Sequence, residues 1–260
     1  VSGPAVAARR VGWLFDGFRR YCVRYARRHF HAVRLSRGSA AIPADGPVLV
    51  AANHPGWWDP ILCTILSREF GTRPHYGAID ARAIRKYPFF DRMGFFPVDA
   101  RSLHGAAEFL RVGTALLADP RSVVWVTAQG EFADVRRRPL ALRSGVGHLA
   151  ARMTGGYVLP VAFEYTFWNE RTPEALVRVG IPIRVADHLN SSGRAWTERI
   201  EAALTITLNC LNAEAQARNP AHFRPLVAGR TGVGGLYDGL RRMRAWVTGR
   251  RFDPGHGGTP

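Results

Sequence analysis

Short apolar runs alternate with amphipathic stretches along most of this chain. The clearest run is Val48-Leu49-Val50-Ala51-Ala52, closed by Asn53-His54-Pro55-Gly56. An apolar run this short, ended by turn residues, reads as a buried strand. Similar runs lie near 75–79, 95–98, 122–127, 157–165 and 177–185. Helical patterns lie near 59–69, 81–87, 103–118, 142–153 and 195–217. Strands alternating with helices predict an α/β fold, a mixed, largely parallel sheet covered by helices. Ligands of such sheets sit outside the carboxyl ends of the strands. His54, Arg101 and Gln129 each follow a predicted strand, so the pattern brings them to one edge.

Amphipathic helices are expected at both ends. Between residues 11 and 34, Val11, Leu14, Phe15, Phe18, Cys22, Tyr25 and His29 recur at three- and four-residue steps. Arg19, Arg20, Arg24, Arg27 and Arg28 fill much of the remaining surface, with Trp13 near one end. Two readings fit this helix. It lies in a membrane interface, or it packs on the domain with its arginines solvated. Leu236 to Trp246 reads as a second, shorter basic amphipathic helix, followed by a Gly- and Pro-rich tail. Ser36 to Gly46 reads as a linker. The expected organisation is a basic membrane-interface helix over 1–35, an α/β domain over 36–218, and a basic helix with tail over 219–260.

Charge narrows the partners. The net charge is +16, and Lys86 is the only lysine. Such a surplus attracts nucleic acid or anionic lipid through the same physics. No helix-turn-helix, zinc finger or aromatic RNP-like strand is recognisable, which argues against nucleic acid and leaves an anionic membrane surface as a candidate partner. No run of about 20 apolar residues occurs, so a transmembrane helix is not expected. Residues 1–10 lack the apolar segment of a signal peptide. Cys22, Cys63 and Cys210 are far apart and show no ligand spacing. They read as packing residues in a reducing compartment, and no metal is expected.

His54 and Asp59 stand five residues apart across the Pro55-Gly56 turn. Asp59-Pro60 reads as the N-cap and first residue of the following helix. His54 then lies on a strand-to-helix turn, with Asp59 close enough to hold its ring. A histidine oriented by a carboxylate is the minimal general base. The competing reading of the spacing alone is a surface pair.

Asn53-His54-x4-Asp59 after a strand resembles the signature of the glycerolipid (lysophosphatidic acid and glycerol-3-phosphate) acyltransferase family. Further blocks resemble that family in the same order. They are RAIRKYPFFDRMGFFPVD from Arg82 to Asp99, VVWVTAQGEF from Val123 to Phe132, LRSGVGHLAARM from Leu142 to Met153, and VLPVA from Val158 to Ala162. The resemblance covers about residues 40 to 185. It implies that His54 is the base and Asp59 its partner, with Asn53 beside them. It implies transfer of an acyl group from a thioester donor, acyl-CoA or acyl carrier protein, to a lipid hydroxyl. No cofactor is implied. The implied place is peripheral, on the cytoplasmic face of the cell membrane.

The sequence departs from the family in the blocks tied to the acceptor's polar end. Ala100 stands at a basic position, with Arg101 one residue late, and Arg82, Arg85 and Lys86 are further cations nearby. Gln129 replaces a glutamate, and Glu131 and Phe132 replace a Thr-Arg pair. Arg101, Gln129, Gly130 and Glu131 are therefore the expected substrate-contacting residues, with Asn53. Gln129 either hydrogen-bonds a neutral hydroxyl or caps its own turn. Backbone N–H groups near Gly56 or Gly130 are the oxyanion candidates. The expected acceptor is a lysophospholipid or related lipid, with a glycosylated lipid such as a carotenoid glycoside as the alternative. A hydrolase using the His–Asp pair on water, an inactive homologue, and, from charge alone, a basic nucleic-acid-binding protein are the remaining readings.

Overall fold

A computed structural model of the protein describes residues 3–99 and 102–229. The chain opens with helices α1 (Gly3–Arg9) and α2 (Gly12–His29), then strands β1 (Ala32–Ser36) and β2 (Val48–Ala52). Helix α3 (Asp59–Leu66), β3 (His75–Asp80), α4 (Ala81–Lys86) and a 3-10 turn (Pro88–Met93) lead to β4 (Phe95–Val98). Then come α5 (Leu103–Leu117), β5 (Val123–Thr127), α6 (Gly145–Ala150) and β6 (Tyr157–Thr166). The described chain closes with β7 (Glu174–Val179), β8 (Ile183–Arg184), α7 (Gly193–Ala217) and β9 (Phe223–Ala228).

One sheet holds all of these strands in the order β4-β3-β5-β2-β6-β7-β1-β9, with β8 paired to β6. The strands from β4 to β6 are mutually parallel, whereas β7 runs antiparallel to β6 and β9 antiparallel to β1. The expected mixed, largely parallel α/β sheet is therefore what forms. Its centre is β2, every residue of which is buried. Val48, Val50 and Ala52 face α2 and α3, while Leu49 and Ala51 face the α5–α6–α7 side. A strand covered on both faces must be apolar throughout, which is why the run carries no alternation.

Three elements differ from the pattern reading. The helix predicted over 11–34 ends at His29, and Ala32–Ser36 leaves it as β1, between β7 and β9. Strand β9 closes the other flank of that pair, although its Pro225 weakens any strand signal. An edge strand tolerates the missing N–H. The boundary expected at 35/36 thus falls inside β1, and the one at 218/219 between α7 and β9 of the same sheet. The single strand expected over 177–185 is two, separated by Gly180-Ile181-Pro182. The basic helix expected over 236–246 lies outside the described residues.

Helix α2 packs its apolar stripe inward. Phe15, Cys22 and Ala26 are buried, and Phe18, Val23 and Tyr25 pack partly against the same core. Phe15 stacks on the ring of His75, 5.8 Å away, and Trp125 Nε1–H donates to His75 Nδ1 at 3.0 Å. Gly94 is required next to this site. Its φ is +94°, and a Cβ would lie 2.6 Å from the His75 carbonyl oxygen.

His75 makes the core acid-sensitive. Burial, and then the nearby guanidinium groups of Arg10, Arg73 and Arg19, bring its pKa from 6.5 down to about 3. The unfolded chain therefore takes up a proton that the folded chain refuses between those values. Stability from this group is fully present above pH 6.5 and falls as the pH drops toward 3. The expected loss is about 1.4 kcal/mol per pH unit in that window. Asn in place of His75 keeps an acceptor for Trp125 but cannot titrate. Denaturant unfolding at pH 7 and pH 5 should show a smaller acid loss in His75→Asn than in the parent. Equal losses would remove His75 as the cause.

Candidate active site

The carboxyl ends of β2, β5 and β6 meet at the His54 loop. At the end of β2, Asn53 extends the ladder with its side chain. Its Nδ2 donates to the Phe163 carbonyl at 2.9 Å, and its Oδ1 accepts from Phe163 N–H at 2.7 Å. The chain then turns through Pro55 and Gly56 into α3. Asp59 is the first residue of α3, with Trp58 as the N-cap and no side-chain cap bond. This corrects the expectation that Asp59 caps the helix. Its carboxylate turns back to the loop instead, while still placing negative charge at a helix N-terminus.

Asp59 is fully buried and receives three donors. His54 Nδ1 lies 2.5 Å from Oδ2, Gly56 N–H donates to Oδ2 at 3.2 Å, and Tyr165 Oη donates to Oδ1 at 2.5 Å. This arrangement suits an ionised carboxylate, which only accepts. It assigns the proton of His54 to Nδ1 and leaves Nε2 as the basic atom. The Tyr165 phenol stays protonated, because burial first and Asp59 second push its pKa well above the usual 10. The imidazole itself remains partly exposed, as a base facing substrate must be.

The loop following β5 clamps His54 from the other side. Gln129 Oε1 accepts from His54 N–H at 2.8 Å, and Gln129 Nε2 donates to the Leu140 carbonyl at 3.1 Å. Ala133 N–H donates to the His54 carbonyl at 2.9 Å, and the Phe132 ring meets the imidazole edge-on at 4.6 Å. Gly130 has φ +66°, and a Cβ there would strike the Arg143 side chain at 2.5 Å.

These contacts revise several expected roles. Asn53 and Gln129 are buried, and their amides bind the protein's own backbone. Gln129 is thus a residue that positions His54, as in the turn-capping alternative. The Gly56 N–H is donated to Asp59 and the Gly130 N–H to Thr127, so neither is free to serve an oxyanion in this conformation. Glu131 is exposed and pairs with Arg137 at 3.2 Å. Arg101 lies outside the described residues. Tyr165, which donates to Asp59, is the residue at this site that the sequence reading missed. Burial and the nearby Asp59 carboxylate also hold the Cys63 thiol well above its ordinary pKa, and burial raises that of Cys22 to about 12. Neither is a ready thiolate, and Cys210, expected to pack, is exposed. Among the described residues no group of three or more His, Cys, Asp or Glu side chains could hold a metal ion.

The Gln129 contacts make a specific prediction. Glutamate at 129 would set a carboxylate oxygen against the Leu140 carbonyl and bury a charge. Gln129→Glu should lower stability by about 1–3 kcal/mol, the cost of an unsatisfied buried group. Denaturant unfolding near neutral pH measures this. An unchanged midpoint would show that the 129 amide does not hold the turn.

Beside the loop lies a shallow apolar cleft, part of it open to solvent. It starts at Ala52 and Pro60, either side of the His54 loop, and runs between α3 and strands β3 and β5. Cys63, Thr64, Gly77, Trp125 and Thr127 line it, with His75 among its wall residues. From Ile79 back to His75 is four residue steps, roughly 13 Å of strand.

Residues 34–164 match the family model described as Acyltransferase. No curated protein matches the chain.

Proposed function

Because this chain belongs to the acyltransferase family and is an acyltransferase, we propose that it moves a fatty acyl group from a thioester to a hydroxyl of a lysophospholipid or related lipid, with His54 as general base. The family implies an acyl donor and a lipid acceptor. The observation that carries the finer reading is the His54 ring, held by a buried carboxylate beside an apolar cleft suited to an acyl chain.

The chemistry follows from that placement. His54 Nε2 takes the proton of the acceptor hydroxyl as its oxygen attacks the thioester carbonyl. Asp59 keeps the Nδ1 tautomer and favours the imidazolium that forms. The tetrahedral intermediate collapses, the C–S bond breaks, and the imidazolium returns its proton to the leaving thiolate. The acceptor is itself the nucleophile, so no acyl-enzyme is needed. The raised pKa of the Cys63 thiol accords with this.

In this reading the acyl chain lies in the cleft, and the acceptor approaches the exposed side of His54. Gln129 gives no support to a neutral sugar acceptor, because both ends of its amide are engaged within the chain. The test is an assay of the purified protein with long-chain acyl thioesters against glycerol 3-phosphate, lysophosphatidic acid, other lysophospholipids and glycolipids. The expected result is the highest kcat/KM with a lysolipid. A best acceptor without an acyl chain would overturn the lipid-acceptor reading.

Membrane association belongs to this proposal. Among the described residues no helix is long and apolar enough to cross a membrane. In this reading the lipid acceptor is met at a bilayer surface, on the cytoplasmic face.

A further inference from the structure

Two walls meet at His54, and they come from opposite faces of the sheet. Pro60, Cys63 and Thr64 of α3 line the apolar cleft on one side. The segment after β5 packs on α7 instead. Its Leu140 is buried against Leu204, Leu208 and Leu211, and Glu201 accepts from the N–H groups of Ala141 and Leu142. Arg138 donates to Asn209 and Asn212 of the same helix. With the acyl chain in the cleft, the second substrate comes to His54 along this other wall.

Phe132 stands on that wall. Its ring meets the imidazole edge-on, yet 62% of the residue is exposed. The loop is held on both sides of it. Gln129 and Ala133 are buried, and each is bonded to the His54 backbone. A lone exposed ring is ordinary on a protein surface, but this one is fixed against the base with most of its face uncovered. An apolar face left to water gains free energy when a ligand covers it. The charges beside it are already engaged. Glu131 pairs with Arg137, Asp134 with Arg136, and Arg138 with the two asparagines of α7. Between residues 130 and 138 the loop therefore offers an incoming acceptor a ring and not an unpaired charge. We propose that Phe132 selects the acceptor, its ring carrying the acceptor's own alkyl chain while the neighbouring hydroxyl meets His54 Nε2.

The geometry sets the class of molecule that fits. Ring and imidazole centres are 4.6 Å apart, so the acceptor must place a hydroxyl within a few carbons of an alkyl or acyl chain. A polyol phosphate without that chain leaves the ring wet. The chain on the ring also screens Nε2 from water, which favours deprotonation of the acceptor hydroxyl over that of water. This inference rests on the lipid-acceptor reading and names the residue that makes the choice.

The test compares the parent, Phe132→Ser and Phe132→Leu on lysophosphatidic acid and glycerol 3-phosphate, which differ by one acyl chain. A long-chain acyl thioester is the donor, the lysolipid is kept below its micelle concentration, and circular dichroism checks the fold. In Phe132→Ser the ratio of kcat/KM, lysophosphatidic acid over glycerol 3-phosphate, should fall about tenfold and mainly through KM, the scale of one covered ring. Phe132→Leu should keep most of the ratio, because apolar surface is what the chain needs. Free fatty acid formed per acylated lipid should rise in the serine variant. An unchanged ratio in folded Phe132→Ser would overturn the proposal. So would an equal loss on both acceptors, which would make the ring a support for His54, or a loss confined to KM for the thioester, which would give it to the donor. Calorimetric titration of lysophosphatidic acid into His54→Ala and His54→Ala/Phe132→Ser reads the contact without turnover, and the second should bind about tenfold more weakly. If it does so while the parent acylates no acceptor, the Phe132 contact stands and the acyl-transfer reading fails. If the parent acylates and neither ratio nor affinity moves, the Phe132 assignment fails alone.

Discussion

Alanine in place of His54 is expected to lower turnover at least ~10²-fold, the lower end for loss of general base catalysis. Asp59→Asn should be nearly as damaging. An amide at 59 cannot accept at every point where His54 Nδ1, Tyr165 Oη and Gly56 N–H now converge. It would also remove the preference for the Nδ1–H tautomer, leaving Nε2 protonated in part of the population. The double variant should be little worse than His54→Ala, because groups that act as a unit fail together. Tyr165→Phe tests the third contact. It removes one hydrogen bond to a buried carboxylate, and its loss should be milder, falling mainly on kcat. Steady-state kinetics on variants shown to be folded measure all four. Near-normal turnover in folded His54→Ala would end this mechanism.

Asn53→Ala is expected to be the most destabilising single change at the site. Two hydrogen bonds to the Phe163 backbone vanish, and a buried N–H and a buried carbonyl lose their partners. Each such orphan costs about 1–3 kcal/mol, so the pair is worth ~2–6 kcal/mol if no water enters. That is a large part of the ~5–15 kcal/mol that holds a typical domain folded. Asn53→Asp separates geometry from chemistry. Its carboxylate can still accept from Phe163 N–H but faces the Phe163 carbonyl with a second acceptor. It should therefore be nearly as destabilising as alanine. Urea unfolding of both variants against the parent is the check, and shifts below about 0.5 kcal/mol, the scale of an ordinary surface change, would contradict the assigned role.

Local pattern carried much of this architecture. The helices at 103–118 and 195–217, and the strands at 48–52 and 157–165, declare themselves because periodicity is a property of neighbouring residues. The His54–Asp59 pair was also legible, since five residues and one turn join its members. What stayed hidden depends on distant partners. Tyr165 reaches Asp59 across 106 positions, and nothing near Tyr165 marks it as a phenol facing a carboxylate. Strand β1 exists because β7 and β9 flank it, and β9 carries a proline that argues against a strand on its own. Gln129 reads identically whether its amide meets a substrate or the Leu140 carbonyl. Likewise, the stripe of α2 shows on a helical wheel, but the wheel cannot say whether protein or lipid covers it. In the structure β2 and its neighbours cover it, and the opposite face is left with aromatic rings and arginines.

The most direct test of the central claim follows both products and protein in one reaction. Purified enzyme is mixed with a labelled long-chain acyl thioester and a lysophospholipid, and the lipids, the free thiol and the intact protein mass are measured together. Transfer by His54-assisted attack of the acceptor predicts equal amounts of acylated lipid and free thiol, no mass gain on the protein, and no lipid product above background with folded His54→Ala. Release of free fatty acid at the same rate with and without acceptor would contradict it, as would an acylated protein that accumulates before the lipid product.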